Sequence, residues 1–291
     1  MINLPKVSVV TITYGHQDYI IETIKGVLKQ NYTGKIEFII SNDNSPDDTD
    51  QVISDFFKSI EIPQNFEINY INHATNIGVM PNFYDALTKA SGDYIALCDG
   101  DDYWTDENKL QKQIDFLEEN EDYVLVGHNV RIFENETNET INSSFPFTNS
   151  IKPSKNYIFL DNYIPALSIV FKNKYEIPKW LLGCKIGDYP LILFLEQFGQ
   201  IGFIDDIMAS YRSNSGYHSS LDKNKKNQLF LQSIEIVKQN ISLTKTQLNN
   251  LNYQILLIQL RDKNFAKSVK MILGTSTSLK FKLKSFLKII K

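Results

Sequence analysis

The run Lys6-Val7-Ser8-Val9-Val10-Thr11-Ile12-Thr13 decides the fold class. Its β-branched residues follow one another without polar alternation, which is the pattern of a strand buried on both faces of a parallel sheet. Downstream, Ile20, Ile21, Ile24, Val27 and Leu28 recur at helical spacing, and Ile36 to Ile40 forms a second apolar run that reaches Ser41-Asn42-Asp43. The unit is β-α-β. The pattern repeats with a helix near Asp48 to Phe57, a strand near Phe66 to Asn72, a helix near Met80 to Ala90 and a strand from Asp93 to Cys98. This alternation predicts a Rossmann-like α/β layer, a mixed and mostly parallel sheet flanked by helices. Ligands of such sheets gather at the carboxyl ends of strands. Here those ends carry Thr13-Tyr14, Asn42-Asp43 and Asp99-Gly100-Asp101-Asp102.

Farther along, Asn108 to Glu119 reads as a helix and Tyr123 to Phe133 as a strand, and the Asn-, Ser- and Thr-rich stretch Glu134 to Asn156 reads as a loop or hairpin. Ala166 to Phe171 and Ile201 to Ile207 are expected strands, with a helix from Pro190 to Phe198 between them. From Leu221 the texture changes to amphipathic helices. The expected division is therefore a catalytic or binding domain over residues 1–220 and a C-terminal helical region over residues 221–291.

The chain has 291 residues, 42% of them hydrophobic and 22% charged, enough to bury a sizeable core. A formal net charge of -4 argues against a nucleic-acid binder, which needs an excess of Lys and Arg to neutralise phosphates. Cys98 and Cys184 are far apart and lack a CxxC partner, so no zinc knuckle or disulfide framework is implied. The apolar run Val7 to Ile12 is too short for a signal-peptide core, and no stretch has the ~18 apolar residues of a membrane span. A reducing cytoplasm is the expected location. In that setting the sequons at Asn135 and Asn138 are chance features of an Asn-rich chain.

Three carboxylates emerge where the strand ending at Cys98 turns, and Gly100 permits a close approach to a ligand. Packing like charges together raises their repulsion, which a bound divalent cation such as Mg²⁺ or Mn²⁺ relieves while bridging to phosphate oxygens. Taken alone, the same run also fits a polar turn. Its context is more specific. Val7 to Tyr14, Ser41-Asn42-Asp43-Asn44-Ser45-Pro46-Asp47-Asp48-Thr49, Asn76-Ile77-Gly78 and Gly92 to Asp102 occur in an order and spacing that resemble family 2 glycosyltransferases, most strongly over residues 5 to 120. The resemblance implies a GT-A fold and a bacterial polysaccharide or surface-glycan enzyme.

It also implies roles. Thr13 and Tyr14 would lie at the nucleobase, with the Tyr ring as a stacking face for uracil; an ordinary strand-end aromatic is the alternative. Asp43 matches the second acid of the family's Asp-Asp-Gly-Ser motif and would accept the base N3-H, although Asn42 and Asn44 stand where Asp and Gly are usual. Asn76 and Gly78 would border the nucleotide, as would Asn82, and helix capping is the competing explanation for this loop. Within the cluster, Asp99 would sit near the ribose with Gly100 beside it, and Asp101 would reach the Mn²⁺ or Mg²⁺ that bridges the two phosphates. Asp102 is assigned no direct contact. Asp188 takes the acidic position of the family's Glu-Asp motif, with Gly187 in place of Glu, and would be the base of an inverting transfer. It would equally serve as a helix cap ahead of Pro190. Arg212 would hold the diphosphate, and His218 would complete the metal shell or touch phosphate unless it is a surface-loop histidine. His16, His73 and His128 form no ligand spacing and read as structural.

The implied partners are a nucleotide-sugar donor, UDP-linked by family frequency, and a glycan or lipid-linked acceptor. After Phe265 seven lysines occur without one acidic residue, and Leu279, Leu283, Phe286, Leu287 and Ile290 fall among them at helical spacing. Such a helix binds anionic membrane surfaces or else packs on the domain with its lysines in solvent. Two other classes compete. A sugar nucleotidyltransferase needs a Gly-rich loop after its first strand, where Thr13-Tyr14-Gly15-His16-Gln17 has one Gly. A non-catalytic glycan-binding module requires the acidic cluster to be structural. A Rossmann dehydrogenase is excluded because no GxGxxG follows the first strand.

Overall fold

The computed structural model describes residues 4–134, 140–141, 156–162, 164–213, 215–216 and 221–261. In chain order the first half runs β1 (Val7–Thr13), α1 (Ile20–Leu28), β2 (Ile36–Asn42), α2 (Thr49–Ser59), β3 (Phe66–Asn72), α3 (Val79–Lys89) and β4 (Tyr94–Leu97). It continues with β5 (Tyr103–Trp104), α4 (Lys109–Glu119), β6 (Tyr123–Glu134), β7 (Thr140–Ile141), β8 (Val170–Lys172), α5 (Asp188–Leu195) and β9 (Gln200–Ser213). The helices α6 (Lys223–Asn240) and α7 (Lys245–Arg261) close the described chain. The nine strands form one sheet in the order β3-β2-β1-β4-β8-β6-β9-β5, with β7 paired to β6.

The first four strands are parallel and in step, Val7 opposite Ile36 and Ile36 opposite Phe66, so Thr13, Asn42 and Asn72 end level with one another. β8 runs antiparallel between β4 and β6, and β9 returns parallel to β6. Side chains of a strand alternate between faces. Val7 and Val9 therefore pack with Ile20, Ile24, Ile53 and Ile114 on one side, while Val10 packs with Met80, Phe83 and Leu191 on the other. Burying each such side chain contributes roughly 1.5–3 kcal/mol over leaving it exposed.

Three expectations change. The strand expected over Ala166 to Phe171 is a short 3₁₀ turn, Ala166–Ser168, followed by β8, because the Ser168 amide and hydroxyl both return to the Pro165 carbonyl. The last strand runs well past Ile207, since β9 keeps pairing with β6 beyond a bulge near Asn129 and also takes up β5. Arg212, expected beyond the strand, is within it. Finally, the helices after residue 221 share a core with the first domain: Ile234, Val237 and Leu251 are buried in the same cluster as Tyr189, Leu191 and Leu193. The boundary at residue 220 marks a change of secondary structure within one packed core. Among the described residues no helix is long and apolar enough to cross a membrane.

Candidate active site

The carboxyl ends of β1, β2 and β4 open on one cavity of about 1300 Å³. At the end of β1, Thr13 is buried and Tyr14, 46% exposed, lines the cavity. At the end of β2 the chain turns sharply. The Asn42 carboxamide oxygen accepts from the Ser45 amide (3.1 Å) and hydroxyl (2.6 Å), its nitrogen donates to the Tyr70 hydroxyl (3.1 Å), and Asn44 takes a left-handed φ of 54°. Asn tolerates that region better than most residues. The two asparagines that depart from the family's usual residues thus build the turn that carries Asp43.

Asp43 reaches across to the loop before α3, where Oδ1 accepts from the Ile77 amide (2.7 Å) and Oδ2 from the Gly78 amide (2.9 Å). Gly78 has φ of 93°, which a side chain would resist. Asn76 and Gly78 line the cavity, and so does Asn82. Gly78 is the N-cap residue of α3, its carbonyl accepting from the Asn82 amide (3.0 Å), and no side chain caps the first turn. Asn82 is tied to β2 instead: the Ser41 hydroxyl donates to its Oδ1 (2.6 Å) and its Nδ2 donates to the Ser41 carbonyl (3.1 Å).

The Asp99–Asp102 turn is gripped by α1, where the Thr23 hydroxyl faces the carbonyls of Gly100 (3.1 Å) and Asp102 (2.6 Å). A Cβ on Gly100 would stand 2.7 Å from Thr13 Oγ1 and 2.9 Å from His16 Nδ1, so glycine is required here by close packing. Asp99, Asp101 and Asp102 all line the cavity. The Ser215 hydroxyl donates to Asp101 Oδ2 (2.8 Å), and the Arg212 amide donates to Asp102 Oδ1 (2.8 Å).

Arg212 holds this turn from behind. Its Nε donates to the Asp101 carbonyl (2.9 Å), its guanidinium pairs with Glu22, and it lies over the rings of Tyr19 (4.5 Å) and Phe133 (4.8 Å). It is not among the residues lining the cavity, and these contacts support the turn from outside that lining. Lys109 is buried behind the same turn, with Nζ 3.9 Å from the Trp104 ring centre and 2.7 Å from Gln113 Oε1. Burial pushes its ammonium down to about 7.

Burial pushes the Asp99 carboxyl up to about 8, and the charges of Asp101 and Asp188 add to the shift. Asp102 is also raised well above its ordinary value, by burial and then by Asp101. A cation relieves this kind of strain. Magnesium-like ions are commonly held by one or two carboxylates plus substrate phosphates, and oxygen donors from Asp99 and Asp101 fit that pattern. Among the described residues no group of three or more His, Cys, Asp or Glu side chains is placed to hold a metal without a substrate. His218 and the basic tail after Phe265 lie outside the described residues.

Asp188 is the first residue of α5 and lines the same cavity, where its charge acts on Asp99. A Cβ on Gly187 would lie 2.7 Å from the Phe83 ring, so the glutamate usual in the family would displace Phe83. The helical wall is completed by residues with no motif in the sequence: Lys226 and Phe230 of α6, and Tyr253, Gln254 and Leu257 of α7. Gln254 anchors α7 by donating to the Tyr189 hydroxyl (2.8 Å) and the Phe159 carbonyl (2.9 Å). The helical periodicity of these segments was visible, but nothing in it marked which face meets the cavity. Tyr211 enters the wall from β9, and His16, read as structural, lines the cavity next to Thr13.

Known proteins resemble this chain in sequence and in fold. The chain is 32% identical over 223 residues to an uncharacterized protein of Mycobacterium tuberculosis, covering 75% of the chain and 62% of that relative, which is less than two thirds of its length. It is 36% identical over 115 residues to the putative teichuronic acid biosynthesis glycosyltransferase TuaG of Bacillus subtilis, 40% of this chain and 43% of that one. Among solved structures, Staphylococcus aureus TarS 1-349 in complex with UDP-GlcNAc superposes with a TM-score of 0.62 at 17% identity, over 98% of this chain and 80% of that one. The mannosyltransferase PcManGT from Pyrobaculum calidifontis, in complex with GDP-Man and Mn²⁺, superposes with a TM-score of 0.67 at 14% identity, over 96% and 78%. At such identities the likeness establishes the fold, the expected GT-A arrangement. The model of glycosyl transferase family 2 matches residues 8–174, more than half of the chain, and that span contains β1, the Asp43 turn, the Gly78 loop and the Asp99–Asp102 turn. The chain belongs to glycosyl transferase family 2.

Proposed function

We propose that this protein transfers a sugar from a nucleotide-sugar, with UDP as the favoured carrier, to a hydroxyl of a surface-glycan or lipid-linked acceptor in a single inverting displacement. The observation that carries the reading is the cavity itself, lined by Tyr14, Asp43, Asp99 and Asp101 from the turns at the strand ends and by Asp188 from the start of α5.

On the donor wall, Tyr14 offers an exposed ring face to the base. Asp43 keeps lone pairs for the base N3-H while the Ile77 and Gly78 amides hold it in place. Asp99 would receive ribose hydroxyls. Asp101, with Asp99, would hold Mn²⁺ or Mg²⁺, and that ion supplies positive charge to the diphosphate when bound. Arg212 contributes at one remove, by fixing the backbone of Asp101 and the carboxylate of Asp102.

On the helical wall, Asp188 accepts the proton of the acceptor hydroxyl as its oxygen attacks the anomeric carbon. The bond from that carbon to the diphosphate oxygen breaks on the opposite side, and the nucleoside diphosphate leaves with the electron pair. General-base catalysis of this kind contributes roughly 10²- to 10⁴-fold. UDP-GlcNAc in the TarS complex and GDP-Man with Mn²⁺ in the PcManGT complex support a nucleotide-sugar in this fold, and TuaG supports a surface polymer as product.

The test is a thermal-shift and turnover panel of UDP-, dTDP- and GDP-sugars with Mn²⁺, followed by detection of the free nucleoside diphosphate. Stabilisation by one donor and its acceptor-dependent release are expected. Binding of glycans alone, with no donor bound or cleaved, would turn the reading towards a glycan-binding module.

A further inference from the structure

His16 stands in the loop between β1 and α1 and is built into that loop on every side but one. Its backbone carbonyl accepts from the Tyr19 and Ile20 amides (3.0 and 2.9 Å), which starts α1, and its amide donates to the Thr49 hydroxyl (3.0 Å). The ring is 8% exposed, with Nδ1 3.1 Å from Thr13 Oγ1. Gly100 packs so closely on this edge that a Cβ there would lie 2.9 Å from Nδ1. Nε2 is different. It has no hydrogen-bond partner among the described residues, it is not one of the unpartnered polar atoms sealed from solvent, and the ring lines the cavity. Its free polar edge therefore opens on the site.

When the Thr13 hydroxyl donates to Nδ1, the imidazole proton sits on Nε2 and the ring presents a fixed N–H to the cavity. The neighbouring groups suggest what it meets. With a cation bound, the carboxylates of Asp99 and Asp101 are acceptors that pair with it or with hydroxyls, whereas an N–H donor in the same cavity complements a group with acceptors only. Phosphate oxygens are such a group.

We propose that His16 is a donor-contacting residue whose Nε2–H hydrogen bonds to an oxygen of the bound nucleoside diphosphate. The inference rests on the reading of the cavity as a nucleotide-sugar site, and it assigns to that site a side chain outside the acidic motifs.

Asn and Gln separate this role from a purely structural one. His16→Asn keeps a polar atom near the Nδ1 position, for Thr13, but lacks the reach of Nε2. His16→Gln places its amide near Nε2 and gives up the Thr13 contact. Calorimetric titration of UDP and of uridine into wild type and both variants, with Mn²⁺ and again with EDTA, makes the comparison. H16N is expected to weaken UDP about tenfold or more, in both buffers, with uridine unchanged, and H16Q to stay within about threefold of wild type. Should H16N fail to fold, H16Q against H16M makes the same comparison at equal length. The opposite ranking, with H16N like wild type and H16Q weak, would overturn the assignment, and so would a loss seen only with Mn²⁺ present. If wild type does not bind UDP, the same titrations are run with dTDP or GDP and the matching nucleoside, and failure to bind any of the three would instead overturn the nucleotide-sugar reading.

Discussion

At the ends of β1, β2 and β4, polar side chains are held largely by backbone groups and short hydroxyl bridges: Asp43 by the Ile77 and Gly78 amides, Asp102 by the Arg212 amide, Asp101 by the Ser215 hydroxyl. Elsewhere in the cavity lining, Asp188, Phe230, Tyr253 and Gln254 ride on helices held mainly by packing, with Tyr189 stacked on Phe230 at 5.6 Å and Leu191, Ile234 and Leu251 buried in the same core. The first wall is a set of turns whose residues are dictated by close approach and hydrogen bonding. The second is a helical scaffold whose buried face sets its position. That contrast suits a donor site shared across a family joined to an acceptor site particular to this chain.

The comparison breaks most visibly at Asp188. Asp188→Asn is expected to lower turnover by about 10³-fold, within the range of general-base effects; steady-state kinetics with wild-type turnover would remove the base from the helical wall.

The donor wall has a pH signature. In the metal-free protein Asp99 holds its proton up to about 8, above its ordinary ~4 in the unfolded chain. The folded state therefore binds more protons in that window, and this residue's contribution to stability falls as pH rises from ~4 to 8. A cation must displace the proton, so apparent Mn²⁺ affinity is expected to rise by up to about tenfold per pH unit in the same window. Melting with and without Mn²⁺ at pH 6 and pH 8 checks this, and a larger metal-induced shift at pH 8 is the expected result.

Gly100→Ala forces a methyl against Thr13 and His16 and is expected to cost about 1–3 kcal/mol by chemical denaturation. The smallest effect belongs to the helical wall. Phe230→Ala removes a ring that stacks on Tyr189, and about 0.5–1.5 kcal/mol of aromatic pairing with it. It is expected to raise the acceptor KM a few-fold while leaving the donor KM unchanged.

Much of the donor half was legible before the structure. Continuous β-branched runs announced β1 and β2, and the helical spacing of Ile20, Ile24 and Val27 announced α1, because burial on two faces or on one leaves different periodicities. β5 was invisible: two residues have no period, and Tyr103–Trp104 is a strand only because Ser210 and Ala209 of β9 pair with it. Arg212 was expected at the diphosphate from its resemblance to the family's segment after the last strand. Its actual partner, Glu22, lies 190 positions earlier on α1, and no local pattern predicts that pairing. His16 was read as structural for want of ligand spacing, yet its neighbours Thr13 and Gly100 come together only when β1 and β4 align. The helical part of the lining depended on how α6 and α7 pack, which amphipathic spacing alone leaves open.

The two-wall account is tested most directly by titrating UDP with Mn²⁺ into Asp101→Asn and Asp188→Asn by calorimetry. The account predicts that Asp101→Asn weakens UDP by at least about tenfold, the cost of one charged ligand, and that Asp188→Asn binds UDP like wild type. Equal losses in both variants, or a loss confined to Asp188→Asn, would contradict it.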